Sequence, residues 1–370
     1  MSDCMRVDRR TFLRRGLQFG AALGATGLGT LPSHPRPASA AEEKIVYFLS
    51  WGGTIQTMLE KEGWAQRFEK ETAHKVILVP KATSAEIIAT AIAQKEKPQV
   101  DVVMCDLPGW LQGEAQAIFD KLNPADMPNL NDIYPVARVG DAGVSLYGDT
   151  LAILYQTEIF KKNNWAPPKS WSDLLRPELR GWIIIPPLSN TYGVYTLVEL
   201  ARLKGGSEKN IEPGFEQLKA LAPGVVDWST TFAKIGEIFQ SGEAAIAVFG
   251  NASGFELKRK GLPIEVVNPD PIYLSPTTVG IMKNAPHPQS ARVFMNWLIG
   301  KDVITYRAER FLQAPMNSKV RLPAEAAKMV VMGEDNIKKL KNLDWRTILP
   351  QRAKWVERFD KEIATIPRAR

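Results

Sequence analysis

Residues 44–54, KIVYFLSWGGT, set the reading of the whole chain. Ile45, Val46, Tyr47, Phe48 and Leu49 form an unbroken run of β-branched, aromatic and aliphatic side chains. A run this short, bounded by turn residues, is the pattern of a strand buried on both faces. Ser50-Trp51-Gly52-Gly53-Thr54 ends it, and a helical pattern continues to about Thr72. The same unit returns twice. Residues 75–79 (KVILV) read as a second strand, followed by Lys81-Ala82-Thr83-Ser84 and a helix over 85–95. Residues 100–105 (VDVVMC) read as a third, which stops at Asp106-Leu107-Pro108. Short apolar strands alternating with helices predict an α/β fold with a parallel sheet covered on both faces. Ligands of such sheets collect at the carboxyl ends of the strands, where helix N-termini also point.

A second α/β set follows. Residues 151–155 and 182–185 read as strands, the latter announced by Pro168, Trp171 and the loop 176–181. Asn190-Thr191-Tyr192-Gly193 precedes a helix over 194–203 in the manner of a cap. Residues 244–249 (AAIAVF) form a strand ending at Gly250-Asn251, and 264–267 form another. After Pro269, Pro271 and Pro276 the chain is apolar again over 278–282, and helices over 288–299, 324–332 and 351–363 complete it. No internal repeat or low-complexity tract interrupts the pattern.

The first forty residues are a segment of another kind. Asp8-Arg9-Arg10-Thr11-Phe12-Leu13-Arg14 places paired arginines ahead of an aromatic and an aliphatic residue. An uncharged run rich in Gly and Ala follows over 16–31, and Pro37-Ala38-Ser39-Ala40-Ala41 has the small-residue spacing of a cleavage site. This is the order of an export signal, and the arginine pair is similar to the twin-arginine type, with Asp8 where Ser or Thr is usual. The run is too short and glycine-rich for a bilayer span, which takes about 20 apolar residues. Cleavage is expected after Ala40, releasing a soluble, periplasmic, monomeric product.

Removing residues 1–40 takes away six of the 47 basic and two of the 40 acidic residues, leaving 41 and 38, a formal charge of +3 rather than +7. So balanced a charge argues against a nucleic-acid surface. Cys4 falls in the leader and leaves Cys105 alone, so no intramolecular disulfide forms, and no cysteine follows the leader to carry a lipid anchor.

Several motifs recur in a fixed order: Ser50-Trp51-Gly52-Gly53, the VDVV strand over 100–106, LAILYQTEIF at 151–160 and PKSWSDLLRPELRG at 168–181. GEAAIA at 242–247, FMNWL at 294–298 and APMN at 314–317 follow. In this order, behind an export signal, residues 44–320 resemble the extracellular solute-binding proteins of ABC importers, in particular the group around the bacterial spermidine/putrescine receptors. The resemblance implies a periplasmic-binding-protein type II fold, two α/β lobes joined by two crossing strands that close on ligand as a hinged trap. It puts the crossings near 148–150 and 272–277. The chain then divides into a leader (1–40), the first part of lobe 1 (41–148), lobe 2 (149–274), and the second part of lobe 1 with the C-terminal helices (275–370). The resemblance also implies a binding protein without catalytic residues or cofactor, whose partners are a small solute and an inner-membrane permease and ATPase.

On that fold the strand-end loops line the cleft. Trp51 offers an aromatic wall, and Gly52 and Gly53 let backbone amides approach a ligand; turn glycines beside a packing Trp are the alternative. Ser84, next to Thr83 and near Glu86, sits in the second loop and is equally suited to cap its helix. Asp106 stands where a carboxylate would meet a cationic group, or caps its own loop. Asp149, near Tyr147 at the first crossing, needs a partner, which a ligand ammonium or a neighbouring Lys or Arg would supply. Asn190, Thr191 and Tyr192 start a helix suited to a carboxylate or other anion. Asn251 and, at the second crossing, Tyr273 complete the set, while Trp228 either stacks on ligand or joins the core.

Acids beside aromatics favour an amine-containing solute, of which putrescine and spermidine are the family's examples. The polyamine receptors carry more acids near the first-strand loop, where this chain has Trp-Gly-Gly-Thr, so a zwitterionic or anionic solute such as an ω-amino acid stays open. Paired adjacent tyrosines of the ferric type are absent, and His74 and His287 lack metal-ligand spacing, so no metal is expected. A Cys105-dependent enzyme on the same fold is the alternative from another class; no His is placed near that thiol, and no GxSxG, HExxH or phosphate loop occurs. A sensor reporting solute to a membrane partner would read the same way.

Overall fold

The computed structural model describes residues 43–229 and 231–368. The arginine pair and the cleavage site after Ala40 lie outside the described residues. No described helix is long and apolar enough to cross a membrane.

The first half follows its apolar runs. β1 (Ile45–Trp51) leads through α1 (Gly53–Gln56), a π-helical turn and α2 (Trp64–Thr72) to β2 (Lys75–Lys81). Then α3 (Ser84–Ala93), β3 (Val102–Asp106) and α4 (Leu107–Ala115) complete the repeat. β1 lies between β2 and β3 and pairs with both in parallel, and Val46, Phe48 and Val103 are fully buried. β4 (Arg138–Val139) then feeds β5 (Gly143–Gln156), a strand of 14 residues.

The second half comprises α5 (Thr157–Lys162), β6 (Ile183–Ile184), α6 (Thr191–Arg202), α7 (Glu212–Leu221) and β7 (Val225–Asp227). It continues with α8 (Phe232–Ser241), β8 (Ile246–Gly250), α9 (Asn251–Arg259) and β9 (Ile264–Val267). The chain then returns along β10 (Ile272–Ile281) to α10 (Pro288–Leu298), α11 (Lys301–Phe311) and β11 (Ala314–Pro315). Short helices α12 (Ala324–Ala327) and α13 (Glu334–Ile337), strand β12 (Leu340–Lys341) and the long α14 (Trp345–Glu362) follow.

The strand order β2-β1-β3-β10-β5-β8-β6-β7 shows how the halves join. β5 pairs with β10 around residues 147–150 and with β8 over 151–155, so one strand belongs to both halves. β10 is antiparallel to β3 on one side and to β5 on the other. β5 and β10 are thus the two strands at which the halves join. A Cβ at Gly148 of β5 would lie 2.1 Å from Leu274 Cδ1 of β10, so a larger residue there would force the Leu274 side chain to shift.

Two features brace this junction. Arg307 of α11 is wholly buried and pairs with no described carboxylate. Its guanidinium lies 4.1 Å from the Tyr147 ring centroid, and its Nε and Nη2 donate to Gln313 Oε1 at 3.0 and 2.7 Å. An aromatic face and an amide oxygen here offset the cost of burying a cation. The second brace is α14, which touches both halves. Arg346 pairs with Glu114 of α4, whereas Arg358 forks onto Glu212 of α7 through Nη1 and Nη2 at 2.6 Å each, and Phe359 meets Trp228 edge-on at 4.9 Å. Pro350 lies inside this helix, between those anchors.

Three expectations need correction. The helix expected over 324–332 is a single turn, α12; the contiguous Met329-Val330-Val331-Met332 lacks helical periodicity, and the Asn251 amide takes the Met329 carbonyl at 3.0 Å. The last helix begins earlier than 351, because Asp344 caps it by accepting from Thr347 N at 3.2 Å. α11 was not anticipated.

Candidate functional site

The site is built from cap residues, since each strand that ends in the cleft hands over to a helix there. α3 starts at Ser84, and Thr83, in extended conformation, is its cap, accepting from Glu86 N at 3.2 Å. Ser84 is therefore not the cap. Its hydroxyl is free to donate to Asp106. Asp106 ends β3 and caps α4 by accepting from Gly109 N at 3.0 Å. Burial pushes the Asp106 pKa above the usual carboxylate value, against those two hydrogen bonds and the more distant positive field of Arg352. No described cation forms an ion pair with it.

Asp149 sits on β5 opposite Ser275 of β10. It accepts from Thr150 N at 2.9 Å, Ala252 N at 3.0 Å and Tyr192 Oη at 2.7 Å, and also from the Asn251 amide. The partner foreseen for this acid was a ligand ammonium or a hinge Lys or Arg; the structure instead gives it two first-turn amides of α9 and a tyrosine of α6. Burial raises its pKa too, and these hydrogen bonds oppose the rise. Asn190 caps α6 by accepting from Tyr192 N at 2.9 Å, with Thr191 as the first helical residue. The close fit needs Gly250, where a Cβ would stand 2.1 Å from Asp149 Oδ2 and 2.5 Å from Tyr192 Oη.

Trp51, Gly52 and Gly53 line an open cavity of about 530 Å³ with Thr54, Lys81 and Ala82. Gly53 has φ +56°, a left-handed turn that other residues enter at a cost, and open space where a Cβ would be. Thr54 also lines a neighbouring cavity of about 580 Å³ with Asp149, Ala252 and Arg259. The strand-end loops of both halves are thus connected around α1.

Two candidates lie elsewhere. Tyr273 is wholly buried away from this cluster: its hydroxyl donates to Glu199 and accepts from Arg202 Nη1 at 2.6 Å, and Arg202 also pairs with Glu208 at 2.6 Å. Trp228 packs on Phe359. Tyr195, whose hydroxyl donates to the Leu274 carbonyl at 2.6 Å, and Arg352, whose Nη2 donates to the Ser189 carbonyl at 3.0 Å, were not foreseen. Nothing local in the sequence marks them, since the one depends on which face of α6 meets β10 and the other on where α14 docks.

Cys105 is fully buried, and burial together with the Asp106 charge pushes its pKa well above the ordinary thiol value. A thiol held protonated is a poor nucleophile. Among the described residues no cluster of His, Cys, Asp or Glu could hold a metal ion.

Two α/β halves joined by two shared, antiparallel strands define a periplasmic binding protein of the type II fold. A solved ABC transporter structure from Clostridium perfringens shares it, with a TM-score of 0.76 at 24% identity over 86% of this chain and 99% of that one. The family model of the bacterial extracellular solute-binding proteins matches residues 63–333, and the chain belongs to that family. The spermidine/putrescine-binding periplasmic protein of Escherichia coli is 24% identical over 333 residues, 88% of this chain and 91% of that protein. A Sinorhizobium fredii protein described as a probable ABC transporter periplasmic-binding protein is 26% identical over 318 residues, 82% and 84% of the two chains.

Proposed function

We propose that this protein is the solute-receiving component of an ABC importer and that its cargo is a small solute bearing an ammonium group. Asp106 carries the cargo reading. It is a desolvated carboxylate at the end of a cleft strand, held by two neutral donors and paired with no cation. An ammonium supplies both the missing charge and further hydrogen bonds. The amine-binding relative supports this reading, although the first-strand loop, Trp51-Gly52-Gly53-Thr54, brings no acid for a second or third ammonium. Residues 149–274 close against the remainder about β5 and β10, and the loaded form docks on a membrane permease and its ATPase. The leader delivers the chain to the periplasm by the twin-arginine route. Cys105 takes no part in chemistry.

The test is a thermal-shift screen of the purified protein with putrescine, spermidine, amino acids and organic acids, followed by calorimetry. A true ligand at a hundred times its Kd stabilises by about 2.7 kcal/mol. Asp106→Asn is expected to weaken binding of that ligand at least tenfold. A protein stabilised only by solutes without an amine would overturn the amine reading.

A further inference from the structure

Two arginines that are fastened to the second half land on helix ends of the first. Arg259 closes α9, and its Nη2 and Nη1 donate to the carbonyls of Glu309 and Arg310 at 3.2 and 3.5 Å, in the last turn of α11. α11 itself packs in the first half, where Arg310 pairs with Glu62 at 3.0 Å. Arg346 of α14 pairs with Glu114, in the last turn of α4. A cation is favoured at a helix C-terminus, whose unpaired carbonyls form a negative end. The same rule disfavours Arg346 in the first turn of α14, which carries no acid. Its place is explained across the boundary between the halves and not within its own helix. By contrast, α14 is fastened to the second half along its length. Trp345 Nε1 donates to Tyr195 Oη of α6 at 3.4 Å, Arg352 Nη2 to the Ser189 carbonyl at 3.0 Å, and Arg358 to both oxygens of Glu212. β12, which leads into the helix, pairs with β10 at Ile272 and Tyr273.

We propose that α14 moves with residues 149–274 as the halves close, and that the Arg346–Glu114 pair and the Arg259 contacts are latches that bias the ligand-free protein toward its closed form. This rests on the hinged closure proposed above and is independent of the identity of the solute. The Arg346 side chain is 67% exposed, so the pair is modest in strength and weakens as salt screens it. The resting opening is then set by ionic strength as well as by cargo.

Distances between spin labels in the ligand-free protein test this. The labels sit on exposed positions, Lys97→Cys beyond α3, Lys219→Cys on α7 and Lys354→Cys on α14, taken in pairs with Cys4 replaced by Ser; Cys105 is fully buried. Arg346→Glu and Glu114→Arg are each expected to raise the open-to-closed ratio seen by the 97–219 pair about threefold, and concentrated salt to do the same to wild type. The double reversal restores the closed population, because it remakes the pair with each charge on the helix end that favours it. As the halves open, the 219–354 distance stays fixed and the 97–354 distance lengthens. Melting curves establish that every variant folds. Single reversals that leave the 97–219 distance in place, a double reversal that fails to restore it, or a 97–354 distance that stays fixed instead overturns the proposal. If the solutes of the thermal-shift screen still shorten the 97–219 distance, hinged closure survives that failure; if nothing moves it, closure falls as well.

Discussion

Asp106 and Asp149 flank the same strand, one opposite Thr277 and the other opposite Ser275 of β10, yet the fold treats them oppositely. Burial raises both pKa values, so charge and desolvation do not separate them. Hydrogen-bond capacity does. A carboxylate can accept about four bonds, and Asp149 accepts from three backbone amides and a tyrosine. It fastens the start of α9 and the side of α6 to the first crossing, with no lone pair to spare. Asp106 receives one amide and one hydroxyl, both from its own half. The lesson is that an acid saturated by protein belongs to the frame, whereas an acid left half-satisfied is available to a solute.

The largest expected effect comes from breaking the saturated member. Asp149→Ala orphans its amides and the Tyr192 hydroxyl and should cost about 2–4 kcal/mol of stability, read from urea unfolding. A variant as stable as wild type would place Asp149 outside the frame.

Acidity sharpens the contrast next. A protonated Asp106 cannot hold an ammonium, so affinity is expected to fall as pH drops through its raised pKa, by about tenfold per unit once well below it. The onset lies above the ordinary aspartate value. Stability has the opposite sign. Between the unfolded and folded pKa values of such an acid the native state binds more protons, so its contribution is full below the unfolded value and lost as pH rises through the folded one. Asp106→Asn removes that dependence: the ligand-free protein should keep its stability within about 1 kcal/mol, shifted upward if at all, while losing its ligand. The sequence alone treats the two acids alike; the structure separates them into one whose loss should cost stability and one whose loss should cost binding. The smallest effect is expected from Pro350→Ala, a change of a few fold in affinity at unchanged specificity, measured by calorimetry.

Much of the fold is legible in local pattern. Residues 45–49, 75–79 and 100–105 are apolar-rich runs that read as strands, whereas the crossings were placed by the family resemblance and not by local pattern. Polar residues at strand ends and helix starts stood out as candidates, and the structure joins Ser84 to Asp106 and brings Tyr192 and Asn251 onto Asp149. Tyr273 was misplaced because β10 is apolar on both faces there, so alternation gives no hint that its ring turns toward Glu199. Thr83 and Ser84 are both good caps, and only backbone conformation chooses between them. Arg352 was invisible for a different reason: its neighbourhood is created by a helix that docks from the far end of the chain.

That helix has a mechanical consequence. α14 is pinned at Arg346 to one half and at Arg358 to the other, and between the pins Pro350 has no N–H to return to the Arg346 carbonyl. A beam clamped at both ends yields at its thinnest section, and here the thin section lies between the anchor on α4 and the anchor on α7.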